Sequence, residues 1–150
     1  MVFSNIFLLL VFGSSIEAAR NDSFEFKVTL HCCCQFDVKL QFVESDSILS
    51  FSDKITSKLK KYNICGTLET TMYGLMDGDG PGDSEYEIVA EIEHNCTPNR
   101  NWVQNLRWLK PYCHVGKDCT IYFNYTLTTQ DDSYLSGPHN TDVIVLRHRN

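Results

Sequence analysis

From Phe24 to Phe42 every even position is apolar or cysteine: Phe24, Phe26, Val28, Leu30, Cys32, Cys34, Phe36, Val38, Leu40 and Phe42. Apart from Cys33, the odd positions between them are polar: Glu25, Lys27, Thr29, His31, Gln35, Asp37, Lys39 and Gln41. Successive side chains of a strand point to opposite faces, so this period of two predicts sheet with one buried face. A single straight strand of that length would run to roughly 60 Å at about 3.3 Å per residue, beyond ordinary strands. A break is therefore predicted at the cysteines, with strands near 24–31 and 36–43. Preserved parity across it suits an odd-length connection or a crossover between two sheets better than a two-residue hairpin.

The alternation returns twice. Tyr86, Ile88, Ala90, Ile92, His94 and Cys96 share one predicted face, opposite Glu85, Glu87, Glu91, Glu93 and Asn95. Cys119, Ile121, Phe123, Tyr125 and Leu127 share another, opposite Thr120, Tyr122, Asn124 and Thr126. The run Asp142 to Leu146 reads as a closing, more fully buried strand. Two stretches break the pattern. Ser52 to Tyr62 sets Ile55, Leu59 and Tyr62 at helical spacing behind a serine cap, and Asn101 to Lys110 does the same with Trp102, Leu106 and Leu109. Both are predicted to be short helices. The segment MDGDGPGDSE has the Gly, Pro and Asp content of a loop. The fold expected is mainly β, an immunoglobulin/transthyretin-like antiparallel sandwich with one or two short helices, stapled by disulfides.

The chain begins with an almost uncharged apolar stretch, Met1 to Phe12, followed by small residues. That is the layout of a secretory leader, and its apolar heart is far shorter than the roughly 20 residues a spanning helix requires. Residues 1–19 are read as the leader, with Ser15 as an alternative end to Ala19, and residues 20–150 as one domain. No stable membrane insertion is expected. Hydrophobic residues make up 43% and charged residues 21%, values of a globular chain rather than a disordered one. The formal net charge of −6 leaves no basic stripe to neutralise phosphates, so nucleic acid is not an expected partner. Three Asn-x-Ser/Thr sequons, at Asn21, Asn95 and Asn124, agree with passage through a glycosylating lumen. The alternation places both Asn95 and Asn124 on solvent faces.

Export decides how seven cysteines are read, because an oxidising compartment lets thiols pair and stay paired. A thiolate metal site would draw Cys32, Cys33 and Cys34 together with His31, His94, Cys96, Cys113 or His114. Adjacent side chains diverge on a strand, however, and no Cys-x2-Cys pair exists, so disulfides are expected and a metal or other cofactor is not. The expected bridge runs from Cys96 to Cys113 or Cys119, with Cys65 joined to one member of the triplet. Cys32 and Cys34 point to the core in this reading and Cys33 away from it. Seven is odd, so Cys33 is the expected free or intermolecular thiol and a disulfide-linked dimer the expected consequence.

Catalysis finds little support. His31, His94, His114, His139 and His148 are available as bases for a cysteine nucleophile, but no pattern ties one to a thiol, and no metalloprotease, serine-hydrolase or phosphate-loop motif occurs. Asp77, Asp79, Asp83 and Glu85 supply hard oxygens for calcium. Counted against the EF-hand loop, Pro81 takes a ligand position and Ile88 stands where the bidentate Glu belongs. An acidic turn is the expected outcome.

The order of pieces resembles the nematode transthyretin-like family. It lies in a leader, the strand FEFKVTLHC, a second alternating strand FDVKLQFVESD, and YEIVAEIEHNCT, whose Ile92, His94 and Cys96 are similar to that family's Ile-x-His-x-Cys strand end. Thr71 to Gly74 has a fainter similarity to its Thr-x-x-x-Gly-x-Phe hairpin, with one residue fewer between Thr and Gly and no phenylalanine. The resemblance implies a secreted seven- or eight-stranded sandwich of the extracellular space or cell surface with no catalytic site. Related hydroxyisourate hydrolases end in Tyr-Arg-Gly-Ser, whereas this chain ends Arg147, His148, Arg149, Asn150. The function expected is non-catalytic binding of an extracellular protein, glycan or lipid. The alternatives are a carrier of an apolar small molecule and, third, a secreted hydrolase.

Overall fold

The computed structural model describes residues 21–45, 52–78, 84–110, 113–129 and, for the backbone, 142–147. The predicted leader, Asp79, Asp83, His139 and His148 lie outside the described residues. The elements are β1 (Asp22–Ser45), β2 (Ser52–Lys54), β3 (Leu59–Met76), β4 (Glu85–Tyr86), β5 (Ile88–His94), β6 (Val103–Trp108), β7 (Cys113–His114), β8 (Cys119–Thr126) and β9 (Asp142–Arg147). The chain is mainly β, and no helix occurs among the described residues.

One seven-stranded sheet runs β6-β5-β1-β8-β9, with β2 and β3 also paired to β1, while β4 and β7 form a separate ribbon. Every pairing is antiparallel except β1 with β8. The centre of this arrangement is β1, whose two halves carry different neighbours. Phe24 to His31 lie between β3 and β8, whereas Val38 to Leu40 lie between β3 and β5. The change of neighbour falls at the cysteines, where the β1–β3 register shifts between His31 and Gln35 and again between Phe36 and Val38. The predicted break is thus an irregularity within one strand rather than an odd-length connection or a crossover between two sheets, and β1 changes neighbours there within a single sheet.

That irregularity folds the sheet over. Phe26 and Phe42 would stand roughly 50 Å apart on a straight strand. Their rings instead stack with centroids 3.9 Å apart, so the two halves of β1 face each other. Phe42 also meets Phe123 of β8 edge to face at 5.8 Å, and Phe24 meets Tyr86 at 5.1 Å. One continuous core results, into which Phe24, Phe26, Val28, Leu30, Phe36, Val38, Leu40 and Phe42 all point. The inward positions of the other two alternating runs, Tyr86 to His94 and Cys119 to Leu127, are buried as predicted, but Thr120, expected on the solvent face, is buried as well, as is Val89 on the outer side of β5.

Both predicted helices are corrected to extended structure. Ser52–Lys54 pairs with Val43–Ser45, Ile55 turns into the core, and Leu59 begins β3. Three apolar residues at helical spacing could not compete with the ladder offered by β1, because a short helix nucleates at a cost that few hydrogen bonds offset. Val103–Trp108 pairs along β5, opposite Val89–His94. Its inward positions include Asn105 and Arg107, polar residues that hide the period of two.

Where β2 leads into β3, the chain presses on Gly74. A Cβ at this position would overlap the Ile55 carbonyl, which is backbone and cannot swing aside. Gly74→Ala is therefore expected to lower stability by about 1–3 kcal/mol, the usual cost of overpacking. A urea denaturation midpoint equal to that of the parent would contradict the close approach.

Candidate functional site

The fold-over corner gathers most of the residues singled out in the sequence. On β3, Asn63 and Gly66 bracket Cys65 with positive φ of 55° and 75°, so both strands of the β1–β3 ribbon are irregular at one place. Glycine and asparagine are the residues that tolerate this conformation best. Asp37 ties the corner together. Its carboxylate accepts from the Asn63 backbone N–H at 2.8 Å and from the Asn95 side-chain amide at 2.9 Å, and Arg100 lies 3.7 Å away. The Asn95 oxygen in turn accepts from the Asp37 backbone N–H at 2.6 Å. Nothing in the alternation signalled Asp37 as more than an outward polar residue.

The cysteines pair differently from the expectation. Cys32 is bridged to Cys96, with Cα atoms 6.0 Å apart, and Cys113 to Cys119, with Cα atoms 6.1 Å apart. A Cys96 bridge to Cys113 or Cys119 is thus replaced by two separate ones, and Cys65 is unpaired. The reason is register. Pairing Val38 with His94 carries the end of β5 to the corner of β1, a non-local juxtaposition that cysteine spacing does not reveal. Cys33, Cys34 and Cys65 are free and exposed. Cys34 was expected in the core beside Cys32, but the irregularity between His31 and Gln35 turns it out.

The three sulfurs of the triplet lie within 4.8 Å of one another. With Cys32 consumed by its bridge they are not a set of three thiolates, the donor type that would suit zinc. Cys34 Sγ rests 3.5 Å from Cys32 Sγ. A bridged sulfur has no hydrogen, so Cys34 is the donor in this contact. Desolvation and the neighbouring Cys33 raise the Cys34 pKa above that of an ordinary thiol, with Arg100 opposing them.

Beneath the corner lies a second polar group in the core. His94 Nδ1 accepts from the Cys96 backbone N–H at 3.2 Å, which leaves Nε2 as the protonated nitrogen, donating to Asn105 Oδ1 at 2.8 Å. Tyr125 donates to the same oxygen at 3.3 Å, and Arg107 donates to the Tyr125 hydroxyl while stacking over its ring. Burial depresses the His94 pKa; the Asn105 bond acts the other way and the Arg107 charge adds to the depression. The folded state therefore resists a proton that the unfolded chain accepts below about pH 6.5. Stability from this group is complete above that value and falls as pH drops through it toward the folded pKa. The denaturation midpoint should decline between about pH 7 and about pH 5, and His94→Gln should flatten the decline. Equal slopes for both proteins would contradict the buried neutral ring.

The other described histidines are engaged elsewhere, His31 with Thr67 at 3.1 Å and His114 with Glu85 at 3.2 Å. None of the three is hydrogen-bonded to a free thiol. Asn21 and Asn124 are exposed, whereas Asn95 is buried and its amide nitrogen is held by Asp37, which corrects its predicted solvent orientation. Alternation stops with β5, and Asn95 turns inward to serve the corner. No family model matches the chain, and neither a curated protein nor a solved structure matches it.

Proposed function

We propose that the chain is an exported, disulfide-stapled, non-catalytic binding protein of the extracellular space or cell surface, built as an immunoglobulin/transthyretin-like sandwich. The observation that supports binding from outside is the filled interior. Phe26, Phe42, Phe24, Tyr86 and Phe123 contact one another across the core, so the inward aromatics serve packing, which counts against the carrier alternative. Outside, Tyr73 and Leu75 of β3 stand 70% and 60% exposed, with Tyr62 and Trp102 also exposed. Aromatic area of this kind is what protein partners use. Two disulfides agree with an oxidising compartment. No helix among the described residues is long and apolar enough to cross a membrane.

The test is expression with the native leader in animal cells. The protein is expected in the medium, with glycans on Asn21 and Asn124 and none on Asn95. Organic extraction and mass spectrometry of the purified material should recover no stoichiometric lipid. A stoichiometric apolar ligand would transfer the reading to a carrier, and labelling by general esterase or amidase probes that Cys→Ala changes abolish would transfer it to a hydrolase. Cys33 is proposed to link a second copy; a non-reducing gel showing monomer alone would remove that link.

A further inference from the structure

We propose that the corner is a thiol–disulfide exchange site, in which Cys34 attacks the Cys32–Cys96 bridge and moves it to Cys32–Cys34. This goes beyond the binding reading and does not require it. Three observations place the reactants together: the Cys34 sulfur lies 3.5 Å from Cys32 Sγ, the Cys34 thiol is exposed, and the bridge it faces is intact. Two residues of strand span about 6.6 Å, within the Cα separation a disulfide accepts, and the irregularity between His31 and Gln35 leaves the backbone there free of strict pleating.

In the step, the Cys34 thiol loses its proton to solvent and the thiolate forms a bond to Cys32 Sγ. The Cys32–Cys96 bond breaks, and its electron pair leaves on Cys96 Sγ, which takes up a proton. One disulfide and one thiol are present before and after, so no oxidant or reductant is consumed. The bridge is thereby moved from a buried sulfur to an exposed one. Cys96, buried beside His94, becomes a thiol, and the corner loses its covalent tie to the end of β5. A thiol in solution, which cannot reach Cys96, can then reach the bridge at Cys34. Because partial desolvation and Cys33 raise the pKa of the exposed Cys34 thiol, little thiolate is present near neutrality, so exchange is slow there and quickens with pH.

The experiment uses the full exported protein, incubated without added thiol, quenched in acid, unfolded and alkylated, then reduced and alkylated with a second reagent. The first label should appear on Cys96, together with a Cys32–Cys34 bridge, at a rate rising about tenfold per pH unit between about pH 7 and about pH 9. Cys34→Ser should slow Cys96 labelling at least about tenfold, while Cys33→Ser and Cys65→Ser leave it near the parental rate. A Cys96 that stays unlabelled at the highest pH overturns the proposal. So does labelling that survives in Cys34→Ser or disappears in Cys33→Ser. The lipid-extraction result and the esterase and amidase labelling bear on the binding reading alone, so the two can fail separately.

Discussion

Replacing Cys32 and Cys96 together by alanine is expected to remove about 4 kcal/mol of stability, against about 2 kcal/mol for the Cys113 and Cys119 pair. The difference follows from loop length. The first bridge spans a sequence separation of 64 and the second only 6, and the entropy a crosslink withholds from the unfolded chain grows with the logarithm of that span. The longer bridge also ties the corner of β1 to the end of β5, where the network through Asp37, Asn95 and Arg100 already converges. Chemical denaturation of both double variants checks the order. If losing the six-residue bridge costs as much as losing the long one, the chain-entropy account is wrong for this protein.

The second large effect belongs to Phe42. Its ring is fully buried, stacked on Phe26 and set edge-on to Phe123, so it joins both halves of β1 and the neighbouring β8. Phe42→Ala should cost about 3–5 kcal/mol, the sum of lost transfer energy and the cavity left behind. Phe42→Leu, which keeps most of the volume, should cost less than half of that. Tyr73 of β3, 70% exposed, is the control: Tyr73→Ala should change stability by less than about 1 kcal/mol. A small loss at Phe42 would mean that the two halves of β1 do not face each other.

Strands with one buried face were readable because their sequence obeys the rule that physics imposes. Phe24 to Leu30 and Phe36 to Leu40 alternate because one side meets the core and the other is at least partly open to water, whereas Gln41 beyond them is buried and donates to the Thr56 carbonyl. β6 was missed because its inward side carries Asn105 and Arg107, whose burial is supported by His94 and Tyr125 from other strands. Polarity there reports a non-local partner, which no window along the chain contains. β3 gave a weak signal for a related reason. Leu68, Met72 and Met76 are buried while Thr70 and Gly74 between them are small, so the large inward residues recur every four positions. Ile55 occupies the space a side chain at 74 would take.

The site divides in the same way. That the cysteines would crosslink followed from compartment and spacing, whereas the pairing itself depends on which residue of β5 sits opposite β1. Cys34 was expected to face inward by parity, and a single irregularity reversed it. Asn95 was expected outward on the same logic, but the strand ends one residue before it. Periodicity holds only as far as the ladder does. Asp37 gave no sign of its role, because a carboxylate in an alternating run looks the same whether it is solvated or bonded to Asn63 and Asn95.

The account rests on how sulfur is distributed at the corner of β1, and mass mapping of freshly secreted, acid-trapped protein tests that most directly. Cleavage beside Glu and Lys, with fragmentation inside the triplet peptide, should find Cys32 joined to Cys96 and Cys113 to Cys119. Alkylation should mark Cys34 and Cys65, which the single chain leaves free and exposed. A bridge from Cys96 to Cys113 or Cys119, or seven alkylated cysteines, would contradict it.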